Sequence, residues 1–288
     1  MRKLIFVVLL VLVSSCALAA PVRLPIDLSG GFAPQPSGFL SDTSYEDASI
    51  RVDIETTEYL GTSCYLARVR IQDGSQLRTA PAYDFSRLQT APFTAIAERV
   101  NSVLAINGDF YSYQMESGSF LVRQGVMYAN KPLRNRDVLL VDANGDFTIV
   151  PPNPDGSPKT FSPEGVVNAF NFGPGLVIDG KPMETGFNAH YNYSEEKHRR
   201  CAIAQVRRGE HEYLCIVTDG PEEKYKAGLT MKEFADFVST LDVENCYNLD
   251  GGNSTMMLFG GRKINAIAQR RLRPISDIIY FASADDGK

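Results

Sequence analysis

Tryptophan is absent from this chain of 288 residues, and histidine occurs only three times. A catalytic metal centre built from imidazoles is therefore not expected, and the spacings of the five cysteines match no zinc site. An excess of basic charge is also lacking, since the chain has 34 Asp and Glu against 29 Lys and Arg, a net charge of -5 and an isoelectric point near 5.4. That balance argues against a nucleic-acid partner, which needs a basic face to neutralise its phosphates. We expect no required cofactor, with an oxygen-ligated cation such as calcium as the alternative.

The N-terminus has the pattern of an export signal. A basic pair at residues 2–3 precedes an apolar run over residues 4–13, which suits a signal-peptide core and is too short for a permanent membrane-spanning helix. Residues 1–19 end in Ala-Leu-Ala, which is typical of a signal-peptide cleavage site, and this is the processing route we prefer. Alternatively, the Val-Ser-Ser-Cys sequence that ends at Cys16 resembles a bacterial lipobox, in which case the leader ends before Cys16 and a lipid attaches the protein to a membrane. Both routes predict a secreted or cell-envelope protein.

The rest of the chain predicts one large globular domain of the α+β class. The chain is 44% hydrophobic and 22% charged, which provides enough apolar material for a full core. Residues 20–44 are rich in Pro, Gly and Ser and predict a linker or a lightly tethered arm before a domain over residues 45–288. Alternation of apolar and polar residues over 50–54 and 65–71 predicts antiparallel strands with one buried face. Further strands are predicted at 103–106, 120–122, 126–128, 138–141, 147–150, 201–206, 213–217, 245–249, 255–259 and 275–281.

Two segments have the apolar stripe of a helix. The first covers about residues 91–100, with Pro92 in its opening turn. The second follows Thr230, which forms a capping box with Glu233. We therefore expect mixed, largely antiparallel sheets that pack with these two main helices in a single domain.

Four cysteines remain after Cys16, and export to an oxidising compartment would permit disulfides between them. Residues 201–206 and 212–217 predict a hairpin that turns around an Arg-Gly pair. Such a hairpin would bring Cys201 opposite Cys215. We therefore expect this pair to form a disulfide.

Three predicted strands end in an aspartate beside a glycine, namely at Asp109, Asp219 and Asp250. Glycine lets the backbone turn sharply and approach a ligand closely, while the carboxylate stays at the rim. Each motif alone is equally typical of a tight turn. If the three strand ends converge, the carboxylates form a cluster that suits glycosyl transfer to water, in which one group attacks or activates water and another manages a proton.

Other polar and aromatic residues accompany these strand ends. Asn107 precedes the first aspartate by two residues, and Tyr111 follows it as an aromatic platform for a sugar face. The stretch 188–200 carries His198 and Arg200 and predicts a substrate lid with anion-binding groups, because guanidinium groups bind phosphate oxygens in pairs. A solvated basic patch is the alternative reading of that stretch. Arg200 is the best placed to be held rigidly, since it directly precedes an apolar strand.

Five motifs occur along the chain in a fixed order. They are Ala-Ile-Asn-Gly-Asp-Phe-Tyr at 105–111, Phe-Gly-Pro at 172–174 with Asp-Gly-Lys-Pro at 179–182, His-Arg-Arg-Cys-Ala-Ile at 198–203, Thr-Asp-Gly at 218–220, and Asn-Leu-Asp-Gly-Gly at 248–252 with Ser-Thr at 254–255. Together they resemble the phosphodiester glycosidase family, which includes the lysosomal uncovering enzyme and many exported bacterial proteins. The similarity runs from about residue 45 to residue 281, and five ordered motifs are far more specific than any one of them.

This resemblance implies hydrolysis of a sugar-1-phosphodiester at the anomeric C–O bond, which releases the sugar and a phosphomonoester. A phosphate ester leaves readily, so the site needs anion stabilisation more than a strong acid. The implied partner is a phosphorylated or phosphodiester-linked glycan, such as an envelope exopolysaccharide. The implied catalytic residues are Asp109, Asp219 and Asp250, whose roles as base, nucleophile or oxocarbenium stabiliser stay undivided. The implied substrate-binding residues are Arg200 and the backbone of Gly251 and Gly252 for phosphate, Asn107, Asn248, Ser254 and Thr255 for sugar hydroxyls or carboxylates, and Tyr111, His198 and Arg123.

Three positions depart from the family pattern. Asn253 stands where a third glycine is usual, Cys201 replaces a hydroxyl residue, and Pro221 stands where many relatives carry an arginine. If that arginine binds phosphate, either another cation such as Arg123 or Arg199 replaces it or the protein accepts another substrate. Two other classes therefore stay open. One is a non-catalytic module that binds envelope glycans, and the other is a metal-dependent phosphodiesterase that cuts P–O, which the scarcity of histidine disfavours.

Overall fold

Three antiparallel sheets form the body of the protein. The computed structural model describes residues 22–111, 119–183, 194–220, 228–267 and 272–287. Within these ranges each strand pair is antiparallel. Together with two helices, this architecture confirms the predicted α+β class.

The strands are β1 Phe39–Ser41, β2 Ser44–Glu46, β3 Ile50–Tyr59, β4 Thr62–Ile71, β5 Leu77–Pro81, β6 Ser102–Asn107, β7 Phe120–Arg123, β8 Val126–Asn130, β9 Val138–Asp142, β10 Phe147–Val150, β11 Val166–Phe170, β12 Gly175–Ile178, β13 Lys181–Pro182, β14 Cys201–Arg207, β15 Glu212–Thr218, β16 Asn245–Leu249, β17 Met257–Phe259, β18 Arg262–Lys263 and β19 Asp277–Ala282. The helices are α1 Phe93–Ala97 and α2 Met231–Val238. Short 3-10 turns occur at Pro36–Gly38, Gly74–Gln76 and Gly252–Ser254.

The nine-stranded sheet has the order β1-β2-β3-β4-β15-β14-β16-β12-β13. The two five-stranded sheets have the orders β18-β17-β6-β19-β5 and β10-β9-β11-β7-β8. Apolar side chains from all three sheets meet in one central core, as shown by Val52, Ile106, Leu139, Ile203 and Tyr247. The nine-stranded sheet is therefore packed on both smaller sheets.

Strands β3 and β4 show how the alternating sequence builds this sheet. Ile50, Val52 and Ile54 are buried, whereas Arg51 and Glu55 at the alternate positions are exposed. Because successive side chains of a strand point to opposite faces, the apolar set lies on the core side. The predicted antiparallel pair with one buried face is confirmed.

Helix α2 covers the opposite face of the nine-stranded sheet. Its residues Phe234 and Val238 are buried in one apolar cluster with Cys246 of β16. The predicted capping box is present, since Glu233 N donates to Thr230 Oγ1 over 3.1 Å and Thr230 N donates to the Glu233 carboxylate over 2.8 Å. Burial of such side chains contributes roughly 1.5–3 kcal/mol each, so packing holds the helix against the sheet and β16 in place.

Helix α1 is shorter than the predicted segment 91–100. Ala91 pairs with Ile275 in an extended bridge, so the helix begins only after Pro92. At its other end, Val100 N donates to Ala97 O over 3.3 Å, a turn in which the helix does not continue. The extended pairing of Ala91 with Ile275 thus shortens the helix that the apolar stripe predicts.

The segment predicted as a linker or arm packs against the domain in its described part. Leu24 is buried, and the guanidinium group of Arg78 donates to the carbonyl oxygens of Pro25, Asp27 and Ser29. Phe32 forms a bridge with Ser283. These contacts tie residues 22–32 to the β5 and β19 region.

The predicted Cys201–Cys215 disulfide is wrong. The hairpin of β14 and β15 is present, but its register pairs Cys201 with Val217 and Cys215 with Ile203. The two cysteines are therefore diagonal neighbours, and such positions lie roughly 7–8 Å apart, too far for a disulfide. Cys64, Cys201, Cys215 and Cys246 are free buried thiols.

The predicted leader and Cys16 lie outside the described residues. Among the helices within the described ranges, none is both long and apolar enough to cross a membrane.

Candidate active site

Two of the predicted aspartates lie on either side of one strand. Strand β14 pairs with β15 on one side and β16 on the other, both antiparallel, and Cys201 is opposite both Val217 and Leu249. The C-terminal ends of β15 and β16 therefore flank the N-terminal end of β14. Asp219 and Asp250 follow those ends, at backbone positions roughly 10 Å apart, which is two strand spacings.

The third predicted strand end reaches this place from a different sheet. Asn107, at the end of β6, donates from Nδ2 to Asp250 O over 2.7 Å and accepts at Oδ1 from Met256 N over 3.2 Å. Asp250 N also donates to Gly108 O over 3.3 Å. The three strand ends thus lie together, and the buried side chain of Asn107 links two of them through hydrogen bonds.

Asp219 is fully buried, and both of its carboxylate oxygens accept hydrogen bonds. Its Oδ2 accepts from the hydroxyl of Tyr65 over 3.0 Å, and its Oδ1 accepts from Ala266 N over 2.9 Å. Tyr65 belongs to β4, whereas Ala266 follows β18 of a smaller sheet. Both carboxylate oxygens therefore have fixed directions, as the carboxylate of a reacting centre requires.

Asp250 is nearly buried and contacts a half-exposed arginine. Nη2 of Arg273 lies 2.6 Å from Asp250 Oδ2 and 2.7 Å from Ser254 Oγ, which also accepts from Arg273 Nε over 3.0 Å. Burial raises the pKa of Asp250, while Arg273 and Ser254 oppose the rise. A buried carboxyl group with a raised pKa suits proton transfer near neutral pH.

Asp109 points into an internal ion network. Its Oδ1 accepts from Arg123 Nη2 over 2.7 Å, and its Oδ2 accepts from Asn171 N over 3.0 Å. Arg123 Nε donates to Asp277 Oδ2 over 2.9 Å, and all three charged side chains have no exposed surface. Burial raises the pKa of Asp277 to about 7, against the opposing effect of Arg123. Arg123 is therefore occupied by two carboxylates, and no face of it is open to a substrate phosphate.

Arg199 lies between the loops that carry Asp219 and Asp250. A Cβ atom at Gly220 would come within 2.6 Å of Arg199 Cγ, and one at Gly251 within 2.7 Å of Arg199 O. Only glycine permits this close approach of both loops to the start of β14.

The backbone N–H of Gly252 already makes a hydrogen bond within the protein. Its N–H donates to Arg199 O over 2.9 Å, so this amide holds the loop together. Its φ is +59°, and no atom of a described residue other than its chain neighbours lies within 4 Å of the position that a Cβ would take. Gly252 therefore leaves space above the loop for a ligand to approach.

Arg200 faces carbonyl oxygens. Its Nε donates to Leu229 O over 2.9 Å, and its Nη2 donates to Glu196 O over 2.7 Å. Burial lowers the pKa of Arg200 to about 10, and Glu196 and Glu233 oppose that effect. The guanidinium group stays cationic at neutral pH and is rigidly held, as the sequence predicts for this position.

The remaining predicted residues differ in how they face the site. Asn248 donates from Nδ2 to Gly173 O over 2.7 Å, whereas its buried Oδ1 and the buried Oγ1 of Thr255 have no hydrogen-bond partner among the described residues. Tyr111 is fully buried, which leaves no exposed ring face for a sugar. His198 is one-third exposed and lies 3.1 Å from the carboxylate of Glu196.

Three residues of the site are absent from the sequence-based set: Tyr65, Arg273 and Asp277. Arg273 precedes a proline in a run of basic residues, and Asp277 is an isolated charge in an apolar strand, so both carried a detectable signal. Tyr65 carried none, because its place in an alternating strand fits a core residue. The neighbouring Pro221, His190 and the rest of segment 184–193 lie outside the described residues. Within the described ranges, no group of three or more His, Cys, Asp or Glu side chains could hold a metal ion.

The family resemblance is confirmed by comparison with known proteins. The phosphodiester glycosidase family matches residues 100–282, which is well over half of the chain. The chain therefore belongs to the phosphodiester glycosidase family, which is a family of hydrolases. It is also similar to the SPbeta prophage-derived uncharacterized protein YomE of Bacillus subtilis, with 25% identity over 195 residues. That match covers 67% of this chain and 30% of the relative, so the chain spans less than a third of that protein's length.

Solved structures share the fold. The zebrafish N-acetylglucosamine-1-phosphodiester alpha-N-acetylglucosaminidase catalytic domain, auto-inhibited by its pro-peptide, is 14% identical with a TM-score of 0.59, covering 88% of this chain and 87% of that one. A hypothetical protein from Synechocystis is 17% identical with a TM-score of 0.55, covering 84% and 64%. A putative exported protein from Burkholderia pseudomallei is 13% identical with a TM-score of 0.51, covering 77% and 74%. At these identities the likeness concerns the fold alone.

Proposed function

We propose that this protein is an exported glycoside hydrolase that cleaves a sugar-1-phosphodiester at the anomeric C–O bond. Membership of the phosphodiester glycosidase family supports a glycosidase-type activity on phosphodiesters. The observation that carries the finer proposal is the pair of buried carboxylates, Asp219 and Asp250, on the two strands that flank Arg199 and Arg200. Paired carboxylates stabilise an oxocarbenium-like transition state and move the protons of glycoside hydrolysis. The products are the sugar and a phosphomonoester.

The surroundings of the carboxylates divide their roles. Asp250 has a raised pKa, which suits the group that holds and transfers a proton. Asp219 has both oxygens oriented by hydrogen bonds from Tyr65 and Ala266, which suits attack on the anomeric carbon or on a water molecule. Asp109 supports the site from within, because its ion pair with Arg123 holds the end of β6 beside Asp250.

The location and the substrate follow the leader and the family. The leader over residues 1–19 supports secretion or residence in the cell envelope, with a lipidated Cys16 as the alternative form. The substrate class that we propose is a phosphodiester-linked envelope glycan. The zebrafish structure is named for an N-acetylglucosamine-1-phosphodiester, so a simple alkyl diester of N-acetylglucosamine-1-phosphate is the first substrate to test.

Hydrolysis in oxygen-18 water tests the bond that is cut. We expect unlabelled phosphomonoester and label in the released sugar, measured by the isotope shift in phosphorus NMR and by mass spectrometry of the trapped sugar. Label in the phosphate would mean P–O cleavage by a phosphodiesterase. Binding without turnover would mean a glycan-binding module. Either of those outcomes overturns the proposed reaction.

Two further measurements complete the test. The Asp250→Asn and Asp219→Asn variants should each lose at least a hundredfold in kcat, and full activity in either would remove it from the mechanism. Dialysis against EDTA should leave the activity unchanged, since we propose no required cofactor. Loss of activity that calcium restores would establish the oxygen-ligated cation as a participant.

A further inference from the structure

We propose that Arg273 binds the phosphodiester anion of the substrate. This inference rests on the proposed function for the identity of the anion. Four observations lead to this residue.

The first observation is exposure. Arg123 is completely buried between Asp109 and Asp277, and Arg199 and Arg200 are 3% and 5% exposed. The side chain of Arg273 is 44% exposed, although it belongs to the same cluster of strand ends. It therefore presents a positive charge to a ligand at the surface of the site.

The second observation is that Arg273 is held in one orientation before any ligand arrives. Its guanidinium group bonds to Asp250 and Ser254, and its Cζ atom lies 4.6 Å from the centre of the Phe110 ring. Its backbone N also donates to Asn253 O over 2.9 Å. A side chain that is fixed in this way loses little rotamer freedom when it binds an anion, so affinity is gained at low entropic cost.

The third observation is an unused edge of the guanidinium group. Nε and Nη2 make the bonds to Asp250 and Ser254, while Nη1 donates no hydrogen bond to any described residue. Guanidinium groups bind phosphate oxygens through charged N–H donors of this kind. The two hydrogens of Nη2 are used by Asp250 and Ser254, so the two N–H groups of Nη1 are the donors that we assign to the phosphate oxygens.

The fourth observation is the space beside this edge. Gly252 lies in the loop that Arg273 contacts through Asn253 and Ser254, and among the described residues, apart from its chain neighbours, no atom lies within 4 Å of the position of a Cβ at Gly252. A phosphate placed over this loop would bring the anomeric carbon towards Asp250. Arg273 would thus favour phosphodiesters over neutral glycosides of the same sugar.

Binding of dimethyl phosphate, a phosphodiester monoanion without a sugar, tests the proposal apart from catalysis. Titration followed by phosphorus NMR line broadening should show saturable binding to the wild-type protein and an affinity at least about tenfold weaker in Arg273→Gln. The matched control is Arg262→Gln, since Arg262 is an equally exposed arginine, 50% accessible, that pairs with Asp42 away from the site. It should bind like the wild type. Arg273→Lys, which keeps the charge without the fork, should fall between the two.

Activity measurements test whether Arg273 determines the preference for phosphodiesters. The ratio of kcat/KM for a sugar-1-phosphodiester to kcat/KM for the neutral aryl glycoside of that sugar should fall at least tenfold in Arg273→Gln and stay constant in Arg262→Gln. Equal dimethyl phosphate binding by wild type and Arg273→Gln, or no binding by wild type, would overturn the inference. Loss of binding in Arg273→Gln by a protein that hydrolyses no diester would instead sustain the inference and defeat the proposed hydrolysis. Melting temperatures of all variants establish that they are folded, and Arg273→Lys carries the test if Arg273→Gln is not.

Discussion

The hydroxyl of Tyr65 donates a hydrogen bond to Asp219 Oδ2 over 3.0 Å, from the strand next to the one that carries the aspartate. Burial, together with the negative charge of Asp219, raises the pKa of Tyr65 to about 12. The phenol therefore stays protonated at any pH where the protein would work. It is a permanent donor that fixes the direction of one carboxylate oxygen, while Ala266 N fixes the other.

Removal of that hydroxyl should reduce catalysis more than stability. In Tyr65→Phe we expect kcat to fall by about ten- to a hundredfold, since a hydrogen bond to a charged group contributes about 1.5–3 kcal/mol. KM should change little, because Tyr65 is placed to orient Asp219 and has no proposed contact with the substrate. Steady-state kinetics on the diester substrate measure both constants. Tyr83→Phe, at a tyrosine that is 61% exposed, is the control for loss of a phenol hydroxyl; wild-type kcat in Tyr65→Phe would contradict the positioning role.

Arg273 should control the pH dependence of the reaction through Asp250. Burial raises the pKa of Asp250, and the charge of Arg273 counteracts that rise. In Arg273→Gln the counteracting charge is lost, so the pKa of Asp250 rises further and the limb of the pH profile that Asp250 sets moves to higher pH. This sign holds whether Asp250 acts as an acid or as a base. The kcat/KM profiles of both proteins on a neutral aryl glycoside measure the shift without interference from phosphate binding.

An unchanged or downward-shifted limb in Arg273→Gln would show that Asp250 is not the group that titrates in the profile. Arg262→Gln again serves as the control, because Arg262 pairs with Asp42 and makes no contact with Asp250. Its profile should superimpose on that of the wild type.

Much of the sheet framework could be predicted because it depends on local alternation. The sequence predicts β16 at 245–249, the structure has it at Asn245–Leu249, and the Asp-Gly pair that follows it is recognisable from the sequence. The convergence of strand ends depends on sheet order, which local patterns do not contain. The ordered family motifs supplied that information, since they indicated that distant Asp-Gly pairs belong to one site.

Contacts between residues far apart in sequence are beyond local patterns. Tyr65 and Asp219 are 154 residues apart, as are Arg123 and Asp277. The first pair meets through the register of the neighbouring strands β4 and β15, and the second pair meets across two sheets. The predicted disulfide failed for the same reason, because a register offset of two residues separates Cys201 from Cys215. Composition and spacing indicate which residues could react, but the register of the strands determines which residues contact each other.

The buried network of Asp109, Arg123 and Asp277 should make stability depend on pH. Burial raises the pKa of Asp277 from 3.8 to about 7, so between these values the folded protein holds a proton that the unfolded chain releases. Stability from this group is therefore greatest at low pH and is lost as pH rises through about 7. The charged or titratable groups around it are Arg123, Asp109 and Tyr111, and its Oδ1 has no hydrogen-bond partner among the described residues.

Urea unfolding between pH 4 and pH 7.5 measures this effect. Asp277→Asn cannot take up the proton, so the free energy of unfolding of the variant relative to wild type should rise as pH rises across the window. Asp236→Asn, an exposed carboxylate on α2 that pairs with Lys232, controls for the loss of one negative charge. A difference between Asp277→Asn and wild type that stays constant from pH 4 to pH 7.5 would contradict the raised pKa.

Gly251 should be essential because its loop lies directly on the backbone of Arg199. A Cβ at Gly251 would come within 2.7 Å of Arg199 O, a backbone atom two residues before β14 that is held by a hydrogen bond from Gly252 N. The φ of -115° at Gly251 is ordinary for alanine. The effect of Gly251→Ala is therefore steric, because the added methyl group displaces the loop that carries Asp250 and Ser254. Because a shift of about 1 Å in a reacting group costs up to a hundredfold in rate, we expect kcat to fall by ten- to a hundredfold with a stability loss of about 1–3 kcal/mol.

Gly209→Ala is the control for loss of stability alone, since Gly209 has a φ of +78° and open space in the distant β14–β15 turn. That variant should lose about 1 kcal/mol of stability and keep wild-type kcat. Equal kcat losses in the two variants would mean that lower stability, and not displacement of Asp250, explains the effect at Gly251.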